Sequence, residues 1–317
     1  MEFTHIERNR RRAAPRDDVV LGIGDDAALL QTPPGMLLAV ATDTLNIDVH
    51  FPSDTGPADI GWKALAVNLS DLAAMGARPA WATLSLSLPH PDEAWLDGFL
   101  DGFLALADAH GLALVGGDTT RGPLSVCVTV HGFVAPDSAL RRDGARVGDD
   151  VWVTGTLGDA AAALAQWRAG SAADPTLRAR LDRPAPRIAT GLALGRIANS
   201  AIDVSDGLLA DLGHVCAASG VGARVDIDLL PASAALRDAF DAGTRRVLQA
   251  TGGDDYEVCF TAAPALRKAV AGASRTCGVP VTRIGEIAEG SGALALDADD
   301  RPWQPARTGY AHFGNPD

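Results

Sequence analysis

The chain has 317 residues, about twice the size of one ordinary hydrophobic core, so two domains are expected. Apolar residues make up 47% and charged residues 21%, which supplies ample core material and excludes disorder along the whole length. The 40 acidic and 27 basic side chains leave a net charge of -13, opposite in sign to the surface a general nucleic-acid binder needs, so nucleic acid is excluded as a partner.

No apolar run approaches the roughly 18 residues of a membrane span. Residues 1–20 carry Arg and Glu where a signal peptide would be apolar. A soluble, cytoplasmic protein without membrane association is expected. The two lysines, Lys63 and Lys268, do not follow glycine in a P-loop pattern, which excludes that motif. Cys127, Cys216, Cys259 and Cys277 are scattered without a C-x-x-C pair, as reduced thiols are.

In chain order, strand-like runs occupy residues 19–23, 37–41, 82–88, 112–115 and 124–134, with helical patterns over 58–75 and 93–110. In the first helix Trp62, Leu65, Leu69, Leu72 and Ala73 recur at helical spacing, while Lys63, Val67, Asn68 and Asp71 share another face. A polar turn over 141–150 precedes a fresh strand at 151–153, so the expected domains are 1–140 and 141–317. The second half reads as a helix over 160–168, a Pro- and Arg-containing stretch over 170–187, a helix, and a strand at 201–204. A helix over 208–219 and strands at 223–227 and 256–261 follow. Strands and helices alternate but are often broken by Gly and Pro, so the class is α/β with mixed sheets.

Acidic residues gather beside glycine turns that follow or open apolar runs. Gly22-Ile-Gly24-Asp25-Asp26 follows the first strand, Thr42-Asp43-Thr44 the second, and Gly116-Gly117-Asp118-Thr119-Thr120 the fourth. Asp203-Val-Ser205-Asp206-Gly207 closes a strand, Gly252-Gly253-Asp254-Asp255 opens one, and Asn68-Leu-Ser70-Asp71 lies on the first long helix. One Asp-Gly turn alone is ordinary turn chemistry. Repeated carboxylates with oxygen-only donors select hard cations, and Mg²⁺ takes one or two carboxylates and completes its shell with water and phosphate. Several magnesium ions and a polyphosphate are expected. Gly22-Ile-Gly24-Asp-Asp-Ala27 also fits a dinucleotide fingerprint, but two carboxylates would face the pyrophosphate and Pro33-Pro34 breaks the following segment.

Together with the run Lys63-Ala-Leu-Ala-Val-Asn-Leu-Ser-Asp-Leu-Ala-Ala-Met-Gly-Ala77, these motifs resemble, in order and over nearly the whole chain, those of the thiamine-monophosphate kinase family. The resemblance implies the two-domain aminoimidazole ribonucleotide synthetase-like fold, a homodimer through the N-terminal domain, and ATP as co-substrate with thiamine monophosphate. It also implies magnesium held by Asp26, Ala41, Thr42, Asp43, Asp71, Asp118, Asp203 and Asp206. ATP would meet Gly117, Asp118, Arg142 and Ser205, and the acceptor His50, Asp254 and Tyr310. Ala41 stands where the family commonly has Ser, so a contact there uses the backbone carbonyl; Asp254 stands where it commonly has Glu.

The implied reaction moves the γ-phosphoryl of ATP onto a phosphate monoester whose second pKa is about 6, so no general base is required. Positioning and charge neutralisation carry the catalysis. Arg121, beside Gly117 and Asp118, is a further phosphate candidate, and a solvated loop arginine explains it equally. Tyr310, Trp303 and Phe313 form a C-terminal aromatic group suited to a thiazolium or to simple tail packing. The Arg8–12 stretch with Arg16 reads as a solvated helix or arm. Alternatives are a synthetase of the same superfamily with another acceptor and a non-catalytic magnesium-binding protein.

Overall fold

A computed structural model describes residues 15–311. The chain divides into two compact units, Met1–Leu72 with Ala77–Pro136, and Ala73–Gly76 with Asp137–Asp317.

The first unit opens with a two-stranded antiparallel ribbon, β1 (Val19–Leu21) and β2 (Leu29–Leu30). Its main sheet contains β3 (Leu37–Asn46), β4 (Arg78–Leu88), β5 (Ala113–Arg121) and β6 (Ser125–Val134), in the order β3-β6-β4-β5. β6 pairs antiparallel with β3 and β4, and β5 runs parallel to β4. Burial alternates along β6, with Val126, Val128 and Val130 inside and Cys127, Thr129 and His131 half-exposed. This period of two leaves one face of the sheet open.

Two helices follow in this half of the sequence, α1 (Pro57–Ala74), whose last two residues count with the second unit, and α2 (Glu93–Ala109). α2 starts where Asp92 accepts the Trp95 N–H at 3.0 Å, and buries Leu96, Phe99, Leu100 and Phe103. The helices approach through glycine: a Cβ on Gly102 would stand 1.7 Å from the Ala58 carbonyl oxygen, and one on Gly61 2.0 Å from that of Phe99. α1 is buried almost all round, its apolar stripe and Lys63, Val67 and Asn68 alike.

The second unit is built on β7 (Asp150–Thr154), β8 (Ser200–Asp203), β9 (Gly222–Asp226), β10 (Val258–Ala262), β11 (Val281–Ala288) and β12 (Gly292–Leu296). They form one sheet in the order β12-β9-β11-β7-β10-β8, antiparallel except for the β12/β9 pair. Its helices are α3 (Asp159–Arg168), α4 (Pro175–Asp182), α5 (Ile188–Leu194), α6 (Leu208–Ser219), α7 (Ala234–Ala239), α8 (Ala242–Thr251) and α9 (Arg267–Cys277). Val151, Val153, Ile202, Leu208, Leu212 and Ile284 are among its core, against which Trp303 packs.

Three expectations change. Thr42 and Asp43 do not follow a strand but lie within β3, and Gly117 and Asp118 lie within β5, because ladder pairing with β6 and β4 carries both strands past their apolar stretches. Gly117 has φ +153, and a Cβ there would stand 1.9 Å from the Leu84 carbonyl oxygen, so the close pairing of β5 with β4 requires glycine. The stretch over 170–187 is partly helical: Asp174 caps α4 by accepting the Thr176 and Leu177 N–H groups, with Pro175 at the first helical position.

Candidate active site

In the first unit, β3 places Asp43 toward α1, where the Asp43 N–H donates to Asn68 Oδ1 at 3.0 Å. Asn68 is held in turn by donating to the Ala64 carbonyl at 3.0 Å. Thr42 points to the other face, its hydroxyl donating to the Val128 carbonyl at 3.1 Å and lying 2.9 Å from that of Thr129. Neighbouring strand residues face opposite ways, so Thr42 could join Asp43 at one ion only through its main chain. The same holds for Ala41, which has no side-chain donor.

Asp118 stands in the cross-strand row Thr44, Cys127, Ser85, Asp118, on the open face and on the far edge strand from Asp43. Three strand spacings of about 4.8 Å separate those edges, roughly 14 Å. Arg121 ends β5 three residues beyond Asp118 and so faces the opposite way. Asp26 is exposed on the turn after β1, and Asp71 is half-buried on α1.

His50 follows β3. Its main-chain N–H donates to the Asn46 carbonyl, and its Nδ1 accepts the Asn46 N–H at 3.0 Å. An accepting Nδ1 leaves the ring proton on Nε2.

In the second unit, Asp203 ends β8 and the loop 204–207 leads into α6. Asp211, in the first turn of α6, accepts the N–H groups of Ser205, Asp206 and Gly207 on Oδ2, each at 3.1 Å. Burial, then the negative charge of Asp203, pushes the Asp211 carboxyl up to about 7. The Gly252-Gly253-Asp254-Asp255 turn docks on the same loop: the Asp254 and Tyr256 N–H groups donate to the Ser205 and Val204 carbonyls, each at 2.8 Å. The Tyr310 N–H donates to the Asp206 carbonyl at 2.8 Å. Asp203, Ser205, Asp206, Asp254 and Tyr310 are thereby gathered on one loop system.

Asp254 and Tyr256 both have left-handed backbones, φ 69 and φ 49, and the Tyr256 hydroxyl donates to Asp254 Oδ1 at 3.2 Å. Aspartate tolerates this region better than most residues. Behind the turn, fully buried Glu257 accepts from Thr154 Oγ1 at 2.6 Å, Arg180 Nη2 at 2.7 Å and Arg187 Nε at 2.6 Å. Asp255 accepts the Gly158 N–H, and burial pushes its carboxyl well above the usual range.

Arg142 is anchored through its main chain: its carbonyl accepts from Ser219 Oγ at the C-terminal end of α6, and the carbonyl of the preceding Arg141 accepts the Ala201 N–H of β8 at 3.1 Å. Tyr310 is 47% exposed, Trp303 is half-buried against the core of the second unit, and Phe313 and Arg8–12 lie outside the described residues. Arg16 is engaged by Asp18.

Asp211, Tyr256, Glu257, Arg180 and Arg187 went unnoticed in the sequence. An acid in the first turn after Ser-Asp-Gly, and an acid two residues beyond the Asp254-Asp255 pair, were the available signals. Among the described residues, no three His, Cys, Asp or Glu side chains are close enough to form a metal-holding group by themselves.

The fold defines a class first. Residues 24–134 match the family model "AIR synthase related protein, N-terminal domain", and residues 146–296 match the corresponding C-terminal domain. The chain is 48% identical to a thiamine-monophosphate kinase of Salmonella typhimurium, covering 99% of each chain. A crystal structure of thiamine-monophosphate kinase from Stenotrophomonas maltophilia is 56% identical, with TM-score 0.88, over 93% of this chain and 96% of that one. The structure described as AaThiL complexed with AMPPCP and TMP is 28% identical, with TM-score 0.77, over 98% and 96%. The chain belongs to the thiamine-monophosphate kinase family.

Proposed function

We infer that this chain phosphorylates thiamine monophosphate to thiamine diphosphate with ATP, as an enzyme of thiamine diphosphate biosynthesis in the cytoplasm. The observation that carries the reading is 48% identity along 99% of the chain to a thiamine-monophosphate kinase. AaThiL, complexed with AMPPCP and TMP, supports the same pair of substrates. Among the described residues, no helix is long and apolar enough to cross a membrane.

The acceptor phosphate is mostly deprotonated at neutral pH, so this chain's residues need only hold the two anionic groups in line and exclude competing geometries. Gly117, Asp118, Arg142 and Ser205 are proposed to bind ATP. His50, Asp254 and Tyr310 are proposed to bind the acceptor, with the His50 Nε2–H as a donor to phosphate.

Magnesium fits the residues present. Asp26, Asp43, Asp71, Asp118, Asp203 and Asp206, with the Ala41 and Thr42 carbonyls, offer only oxygen, and after burial the Asp203 and then the Asp206 charge raise the Asp211 carboxyl. Bound there, magnesium supplies charge neutralisation for the phosphates.

A homodimer through the N-terminal domain is part of the proposal. The open sheet face presents Val40 at 56% exposure with Thr42, Thr44 and Thr129, and among the described residues no further strand pairs with either edge strand. Asp43 stands on the α1 side of one edge strand and Asp118 on the open face of the other. Product formation from thiamine monophosphate, ATP and Mg²⁺, with thiamine as a control acceptor and Asp43→Asn alongside, tests the activity. The mass of the purified protein in solution tests the dimer, and a monomer would sink it.

A further inference from the structure

The loop 204–207 does two jobs at once. Its side chains, Ser205 and Asp206, are the ones proposed above for nucleotide and magnesium. Its carbonyls, at Val204, Ser205 and Asp206, hold the main chain of Tyr256, Asp254 and Tyr310, two of which are proposed for the acceptor. The loop's main-chain N–H groups converge on a single oxygen: Oδ2 of Asp211, a residue only 3% exposed, accepts those of Ser205, Asp206 and Gly207 at 3.1 Å each.

Consecutive N–H groups converging on one point form a concave site that favours an anion. Here the chain fills that site with its own carboxylate. Two consequences follow. The N–H groups of Ser205, Asp206 and Gly207 are committed to Asp211, so nucleotide phosphate would meet this loop through the Ser205 hydroxyl, and the Asp206 carboxylate only by way of magnesium. The carbonyls turned away from Asp211 are the ones that carry Asp254 and Tyr310.

Resting on the kinase reading above, we propose that Asp211 is a positioning residue that sets the nucleotide-side and acceptor-side groups in register by holding the loop between them. It acts by accepting hydrogen bonds and does not touch substrate or metal. An ordinary role in helix stability would lower the melting temperature and leave the Michaelis constants of folded protein unchanged. A metal ligand would fail equally as Asn or Ala and would shift the magnesium requirement.

The test measures KM for ATP and for thiamine monophosphate, kcat, and magnesium dependence in Asp211→Ala and Asp211→Asn, with Ser205→Ala and Asp254→Asn as references. Asp211→Ala is expected to raise both KM values at least tenfold. Asp211→Asn, which keeps a carbonyl acceptor, is expected to return both to within about threefold of the parent at an unchanged magnesium optimum. If the references raise their respective KM values while Asp211→Ala leaves both unchanged, the positioning role is overturned and the site reading stands. If neither reference moves its KM, the site reading fails and takes the proposal with it. Should Asp211→Ala not fold, the Asn variant decides alone: parent-like constants support hydrogen-bond positioning, and inactivity with a shifted magnesium optimum overturns it.

Discussion

Lys63 Nζ, on a residue 1% exposed, donates to the main-chain carbonyl oxygen of His50 at 2.8 Å. A buried ammonium is costly unless hydrogen-bonded, and here its donor group pins the segment that presents the proposed acceptor-binding imidazole. The ring is held separately, through Nδ1 and the Asn46 N–H.

Replacing that lysine by an apolar side chain of similar length leaves the His50 carbonyl without this donor. Lys63→Met is expected to cost about 1–3 kcal/mol in urea unfolding. It should also raise KM for thiamine monophosphate more than KM for ATP. Equal changes in the two constants would count against a specific role for the His50 segment.

Glu257 is completely buried and accepts from Thr154, Arg180 and Arg187. Removing one member of such a network strands the other charges. Glu257→Ala is expected to destabilise the second unit by about 3–5 kcal/mol, read from chemical unfolding. Glu257→Gln keeps an acceptor and should lose less.

Asp150 is buried beside two arginines, with Arg267 Nε at 2.6 Å and Arg283 on its other oxygen. The hydrogen bond from Arg267, ahead of the Arg283 contact, holds its carboxyl below the ordinary value. A depressed folded-state pKa means the unfolded chain binds the proton more readily. The resulting stability is present above the ordinary Asp value of about 3.9 and is lost as pH falls through the folded value. Unfolding measured from pH 7 to pH 3 should therefore lose less stability in Asp150→Asn than in the parent.

The α1/α2 crossing leaves no room for a methyl group at Gly102, where a Cβ would stand 1.7 Å from the Ala58 carbonyl oxygen. Gly102→Ala must push the helices apart, and a loss of about 1–3 kcal/mol is expected from the overpacking, with a lower melting temperature. An unchanged melting temperature would mean the helices separate without cost.

Much was legible without coordinates because it is encoded locally. The alternation in residues 124–134, the helical spacing around Leu65 and Leu69, and the order of the acidic glycine motifs placed an α/β chain in a kinase family. Those features depend on residues a few positions apart, and period and turn chemistry express them directly.

Tertiary structure alone decided that Thr42 and Asp43 lie inside β3 on opposite faces and that Asp118 stands on the far edge of the same sheet. It also put Asp211 under the Ser205 loop and drew Arg180 and Arg187 to Glu257 across about 70 residues of chain. These arrangements rest on ladder register and on hydrogen bonds between distant segments, which no local pattern carries. A strand can be recognised from its own residues, but its neighbour, and so the face and edge on which a carboxylate finally stands, is set by what pairs with it.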